Sequence, residues 1–63
     1  MMPVRVANRP KGDVVKDRGR WIWFRPGGGS EVFPRGYTRD DLRAFIARVC
    51  LAQPADVKFG TEK

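Results

Sequence analysis

Apolar positions along this chain follow three rhythms before residue 26. Val4 and Val6 alternate with Pro3 and Arg5, Val14 and Val15 form a short β-branched run, and Trp21, Ile22, Trp23 and Phe24 stand in a row between Arg20 and Arg25. The first two read as short strands separated by "NRPKGD", whose Asn, Pro, Gly and Asp mark a turn or loop. The third predicts a firm strand from Arg20 to Arg25, since aromatic and β-branched side chains suit a pleated surface. "PGGGS" then breaks the run. Pro26 cannot donate to a ladder and the glycines accept positive φ, so the chain is expected to turn and return as a hairpin strand over Glu31 to Arg35. Pro34 confines that return strand to an edge, an end or a bulge.

Beyond residue 37 the period changes to that of a helix. Leu42, Phe45, Ile46, Val49 and Cys50 recur at i, i+3, i+4, i+7 and i+8, which places them in one stripe. Thr38 is a good N-cap, and Asp40 and Asp41 fall in the first turn, where the helix dipole favours anions. Pro54 predicts a stop near Ala52, because the residue before a proline avoids the helical region, and "ADVKF" reads as a short returning strand. Leu51 falls roughly opposite the stripe and is expected to be exposed. Together the periods predict an α+β fold: a small antiparallel sheet of three to four strands with one C-terminal helix packed on one face. Residues 1–12 are expected as a basic N-terminal arm, 13–58 as a single domain and 59–63 as a tail.

Length turns this pattern into a stability problem. Sixty-three residues lie near the lower limit at which one hydrophobic core holds a fold unaided. Cys50 is the only cysteine, which excludes an intrachain disulfide, and the absence of histidine excludes a zinc site of Cys and His ligands. Neither metal nor cofactor is expected, and self-association is the remaining staple. The first twelve residues lack the apolar core of a signal peptide, and no stretch approaches the roughly 20 apolar residues of a membrane span. The expectation is a soluble cytoplasmic protein with no membrane partner.

Alternation along the tryptophan strand sharpens that problem. Trp21, Trp23 and Arg25 share one face, and Arg20, Ile22 and Phe24 share the other. One helix covers one face. Fully burying two large apolar side chains is worth about 3–6 kcal/mol, comparable with the whole stability of so small a domain, so the uncovered face is expected to take a partner.

The chemistry available is thin. Without histidine the common general base is missing, and so are Ser-His-Asp and Cys-His arrangements. Among the hydroxyls of Ser30, Tyr37, Thr38 and Thr61, Thr38 is explained as a cap and Ser30 as a loop residue. Asp40 and Asp41 are adjacent on a helix, so their side chains diverge by about 100°, and Arg39 and Arg43 stand near enough to neutralise them. "GGGSEVF" lacks the lysine of a phosphate-binding P-loop and runs into a strand instead of a helix. These observations predict a non-enzymatic protein with no small-molecule substrate.

Charge supplies the other functional signal. The net charge is +6, with nine arginines against four lysines, a balance that suits bidentate contacts with phosphates; a solvated basic surface is the ordinary alternative. The excess is +3 over residues 1–12, +2 over 13–36 and +1 over 37–63, so it falls on the N-terminal stretch and the strands more than on the helix. Aromatics interleaved with arginines in Arg18, Arg20, Trp21, Trp23, Phe24, Arg25 and Arg35 can stack bases and pair with phosphates. Core packing is the competing role for the tryptophans, since few other residues are large enough to build the interior.

From Lys16 to Val57, about two-thirds of the chain, the order "KDRGRWIWF", Gly29 with "EVF", "RGYT", a helix with Ile46 and Val49, and "LAQPADV" resembles the small YegP-like domains. Those domains carry a Lys-Asp turn, a Trp-x-Trp strand, an Asn-Gly hairpin, a Gly-Tyr-Thr/Ser helix start, an Ile-x-x-Val helix and an Asn-Ala-Pro exit. Here the glycine run replaces the Asn-Gly turn, the stretch from Gly36 to Ile46 is one residue shorter, and the N-terminal stretch is extra. The three-stranded-sheet-plus-helix DNA-binding domain of tyrosine integrases is similar in layout and in "GYTRDDLRAF", but matches the tryptophan strand and the exit less well. The YegP-like resemblance implies a compact α+β unit that pairs with another copy of itself or occurs as a tandem duplicate, with no catalytic residues to carry over. It also implies that the tryptophan face is the helix-covered core, which puts Ile22 and Phe24 on the outer face.

Two functional expectations follow. The first is a self-associating interaction module, a homodimer whose contact surface includes Ile22, Phe24 and Leu51, with another protein as an alternative partner. The second is a DNA- or RNA-binding protein using Arg18, Arg20, Phe24, Arg25 and Arg35 together with Arg5, Arg9 and Lys11 of the basic arm.

Overall fold

The computed structural model describes residues 1–60. Its elements run β1 (Met2–Val6), β2 (Arg9–Asp17), β3 (Arg20–Phe24), β4 (Ser30–Val32), α1 (Arg39–Val49), one 3-10 turn (Pro54–Asp56) and β5 (Val57–Phe59). All strand pairs are antiparallel, in one sheet of order β4-β3-β2-β1-β5. This is the α+β arrangement that the periodicities predict, with five strands in place of three to four.

The extra strand comes from the stretch expected as an arm. β1 lies between β2 and β5, and Val4 and Val6 belong to the core, so the expected arm is a strand of the sheet and the start of the next. The cause is local. Ala7 and Asn8 both take positive φ (51° and 70°) and close a two-residue hairpin turn of the kind that matches strand twist. The chain therefore turns before "RPKGD" and not through it.

A bulge then lets β2 run on through residues that read as a loop. The β1–β2 register shifts between Pro3 and Arg5, and Gly12 sits at the shift with φ 86°. A Cβ at Gly12 would run into the backbone carbonyl oxygen of Phe24. Pro10 lies beyond the last β2–β3 pair, Asp13 with Phe24, so its missing N–H removes no bond to β3.

The expected tail is also partly in the sheet. Phe59 ends β5, and the Gly60 N–H donates to the Pro3 carbonyl at 2.8 Å. Residues 61–63 of that tail lie outside the described residues.

β3 and β4 are joined by the glycine loop, closed by Arg25 N–H to Gly29 O at 3.1 Å and Gly28 N–H to Arg25 O at 3.2 Å. β4 is shorter than the expected return strand and stops before Pro34. It is an edge strand, in keeping with that proline.

The helix begins where its cap predicts. Thr38 Oγ1 accepts from the Asp41 N–H at 3.1 Å, and Asp41 Oδ2 accepts from the Thr38 N–H at 3.0 Å, a reciprocal capping box. It ends earlier than Pro54 alone requires. Leu51 takes a left-handed φ of 54°, its N–H donates to Arg48 O at 3.2 Å, and the Ala52 N–H donates to Ala47 O at 2.8 Å. This double closure terminates the helix at Val49 and satisfies its last carbonyls. The buried stripe also differs from the expected one: Leu42, Ile46 and Ala47 are buried, Phe45 and Cys50 half-buried, and Val49 exposed.

The core fills the space between α1 and one face of the sheet. Val4, Val6, Val14, Trp21, Trp23 and Val57 rise from the strands to meet Leu42, Ile46 and Ala47. Phe33, just past β4, is buried against the same layer, stacked on Tyr37 at 5.3 Å and edge-on to Phe45 at 4.8 Å.

Candidate interaction surface

The sheet has an inner and an outer face, and the tryptophans settle which is which. Trp21 and Trp23 are 7% and 1% exposed. Each indole N–H finds a backbone acceptor: Trp21 Nε1 donates to Tyr37 O at 3.2 Å and Trp23 Nε1 to Lys11 O at 2.8 Å. The rings also carry cations of their own chain, with Lys16 Nζ 5.3 Å from the Trp21 centroid and the Arg25 guanidinium 5.6 Å from that of Trp23. The interleaving of basic and aromatic residues is thus used inside the chain, and neither ring lies open for a base to stack on.

On the outer face the cross-strand register assembles rows, because directly paired residues point to the same side. Val15, Ile22 and Val32 form one row across β2, β3 and β4. Pro3, Asp13, Phe24 and Ser30 form the next, from β1 to β4. Asp17 faces Arg20 at one end of the sheet, and Arg5 faces Lys58 near the other. Exposure rises along the apolar row: Val15 and Ile22 are half-buried, and Val32 at the β4 edge is 54% exposed. Phe24 beside it is 37% exposed.

Of the three residues expected at a protein interface, Ile22 and Phe24 share this face and Leu51 does not. Leu51 is 95% exposed, but it caps the helix that lies across the inner face. Val15 and Val32 complete the row without having been singled out from the sequence. Their signal lay in register: the Arg18–Gly19 turn, with φ of 54° and 80°, sets Val15 opposite Ile22, and the length of the glycine loop sets Val32 there.

The basic residues of the nucleic-acid expectation are divided among surfaces. Arg5 and Arg20 lie on the outer face with Phe24, whereas Arg9 pairs with Val6 at the end of the inner face. Arg18 is in the β2–β3 turn, Arg35 is exposed after β4, and the Lys11 carbonyl is held by Trp23. Arg25 is bound to Glu31, with Nη2 to Oε1 at 2.7 Å. Arg20 has Asp17 directly opposite.

A separate groove of about 380 Å³ lies where the glycine loop approaches the end of α1, lined by Lys11, Trp23, Arg25, Val49 and Cys50. Cys50 is a free, half-buried thiol there. Among the described residues no three His, Cys, Asp or Glu side chains gather as a metal site, and no helix is long and apolar enough to cross a membrane. No known family model matches the chain, and neither the curated proteins nor the solved structures provide a match.

Proposed function

We propose that this protein is a non-enzymatic interaction module that pairs with a second copy of itself through the sheet face opposite the helix. The observation that carries the reading is the row Val15, Ile22 and Val32, flanked by Phe24, on the face that α1 leaves uncovered. A contiguous apolar patch of this kind on so small a domain is most economically covered by protein. Beside this row the face carries both signs of charge, Asp13 and Asp17 on β2 and Arg20 on β3, which suits self-complementary two-fold pairing. The resemblance to YegP-like domains points the same way. Nucleic-acid binding is the weaker reading, because its cations do not share a face and Arg25 is neutralised by Glu31.

Sedimentation equilibrium over a concentration series up to several hundred micromolar tests it. The native chain is expected to dimerise, and Ile22→Lys and Phe24→Lys to remain monomeric. A native chain that stays monomeric throughout overturns the reading, as does a dimer that both variants leave intact.

A further inference from the structure

The two open edges of the sheet differ in chemistry. At the β4 edge the one charged side chain of the strand, Glu31, is neutralised by Arg25, and Val32 is apolar and exposed. At the β5 edge the outer-face charges of Arg5 and Lys58 are unopposed. Lys58 stands directly across from Arg5 on the outer face, a like-charge pair that costs stability, and among the described residues neither forms an ion pair. Asp56 is the nearest acid in sequence, and its Oδ2 accepts from the Gln53 N–H at 3.2 Å. Arg43, from α1, adds a third cation on the helix side, its guanidinium 5.5 Å from the Phe59 ring centroid and its Nη1 3.6 Å from Asp40 Oδ1. Its Nε is buried and lacks a hydrogen-bond partner.

The backbone of β5 is partly free as well. Gly60 N–H bonds to Pro3 O, and Ala7 N–H to Asp56 O. Because antiparallel ladder bonds fall on alternate residues, Asp56, Lys58 and Gly60 turn toward β1, and Val57 and Phe59 turn outward. The Val57 N–H is used by Pro54 O. The carbonyl of Val57 and both backbone groups of Phe59 therefore face the open side. Beside them runs a groove of about 280 Å³, apolar along Pro54, Val57 and Phe59 and basic at Arg43 and Lys58.

We infer that the β5 edge takes an extended acidic segment of another protein as an added strand, with acidic residues alternating with apolar ones. Main-chain bonds to Val57 and Phe59 hold the strand, acidic side chains meet Lys58 and Arg5 on the outer face, and apolar ones lie along Pro54 and Phe59. Lys58 also decides against a second copy as the occupant. Two β5 edges brought together in the register that pairs Val57 with Phe59 would oppose lysine to lysine, an arrangement by which edge strands resist self-pairing. The surface is distinct from the apolar row of the outer face, so this inference and the self-pairing reading stand or fall separately.

The test is fluorescence anisotropy of a dye-labelled peptide, acetyl-Glu-Val-Glu-Val-Glu-Val-amide, titrated with the full chain at low salt. Saturable binding is expected, weakened at least tenfold by Lys58→Glu, whose exposed side chain leaves the fold intact by circular dichroism. The same peptide N-methylated at alternate backbone positions is expected to lose binding to a similar degree, since it cannot form the ladder. Equal binding of the methylated and parent peptides overturns the inference, because the edge then reads charge alone. So does an oligothymidylate of equal charge that binds more tightly than the peptide and responds equally to Lys58→Glu.

Discussion

Trp23 Nε1 donates to the carbonyl oxygen of Lys11 at 2.8 Å, joining β3 to the bulged part of β2. The β1–β2 register shifts around Gly12 and the β2–β3 ladder ends at Asp13, and at this irregular point the indole hydrogen-bonds the Lys11 carbonyl. The bond anchors the buried Trp23 side chain under the helix, on the face of β3 opposite Ile22 and Phe24.

Replacing Trp23 with Phe removes that donor and leaves a poorly solvated carbonyl, so the variant is expected to lose about 2–4 kcal/mol from the unpaired acceptor and the cavity together. Trp21→Phe is expected to cost less, since its bond to Tyr37 is longer at 3.2 Å and its ring more exposed. Urea unfolding followed by circular dichroism gives both values. A larger loss at Trp21 would contradict the ranking.

Gly12→Ala tests the bulge itself. The new Cβ meets the Phe24 carbonyl in a left-handed backbone, so the variant is expected to be largely unfolded. Gly19→Ala has the same backbone constraint but open space around it, and is expected to cost only about 1–2 kcal/mol. Thermal melts of the two variants side by side separate the steric contribution from the conformational one.

Leu51→Gly is expected to stabilise the fold. Leu51 occupies the left-handed position that ends α1 and is almost wholly exposed, so glycine relieves strain of about 1 kcal/mol and gives up little packing. For a domain of this size that corresponds to a rise of about 4–8 °C in the melting midpoint. The proposed self-pairing should be unaffected, because Leu51 lies away from the outer face.

Thr38→Ala removes half of the capping box and is expected to cost about 1 kcal/mol, with Thr38→Ser close to native. Chemical denaturation reads the difference. A loss no larger than that of a neutral surface substitution would mean that Asp41 alone suffices at this end of the helix.

Val32→Lys separates self-pairing from folding more cleanly than substitution of the half-buried Ile22. Val32 is 54% exposed on an edge strand, so monomer stability should change by less than about 0.5 kcal/mol while the proposed self-pairing weakens at least tenfold. Sedimentation paired with denaturation at low protein concentration measures both.

Local chemistry sufficed for the helix start at Thr38, the tryptophan strand, the glycine loop, the edge position of β4 and the short strand after Pro54, because caps, β-rich runs and prolines act within a few residues. It did not suffice for the first dozen residues. Whether "RPKGD" is a loop or a bulged strand depends on Ala7 and Asn8 both entering the left-handed region and on Gly12 fitting under the Phe24 carbonyl, and the second condition involves a residue twelve positions away. The helix stop likewise depended on Leu51 adopting a conformation that leucine seldom takes. The candidate surface divides in the same way. Alternation in the sequence by itself determined that Ile22 and Phe24 share a face opposite Trp21 and Trp23. Only the tertiary structure decided that Val15 and Val32 extend that face into a row, that Leu51 is excluded from it and that Arg25 is bound by Glu31. Register, helix placement and ion pairing join residues that chain order keeps apart.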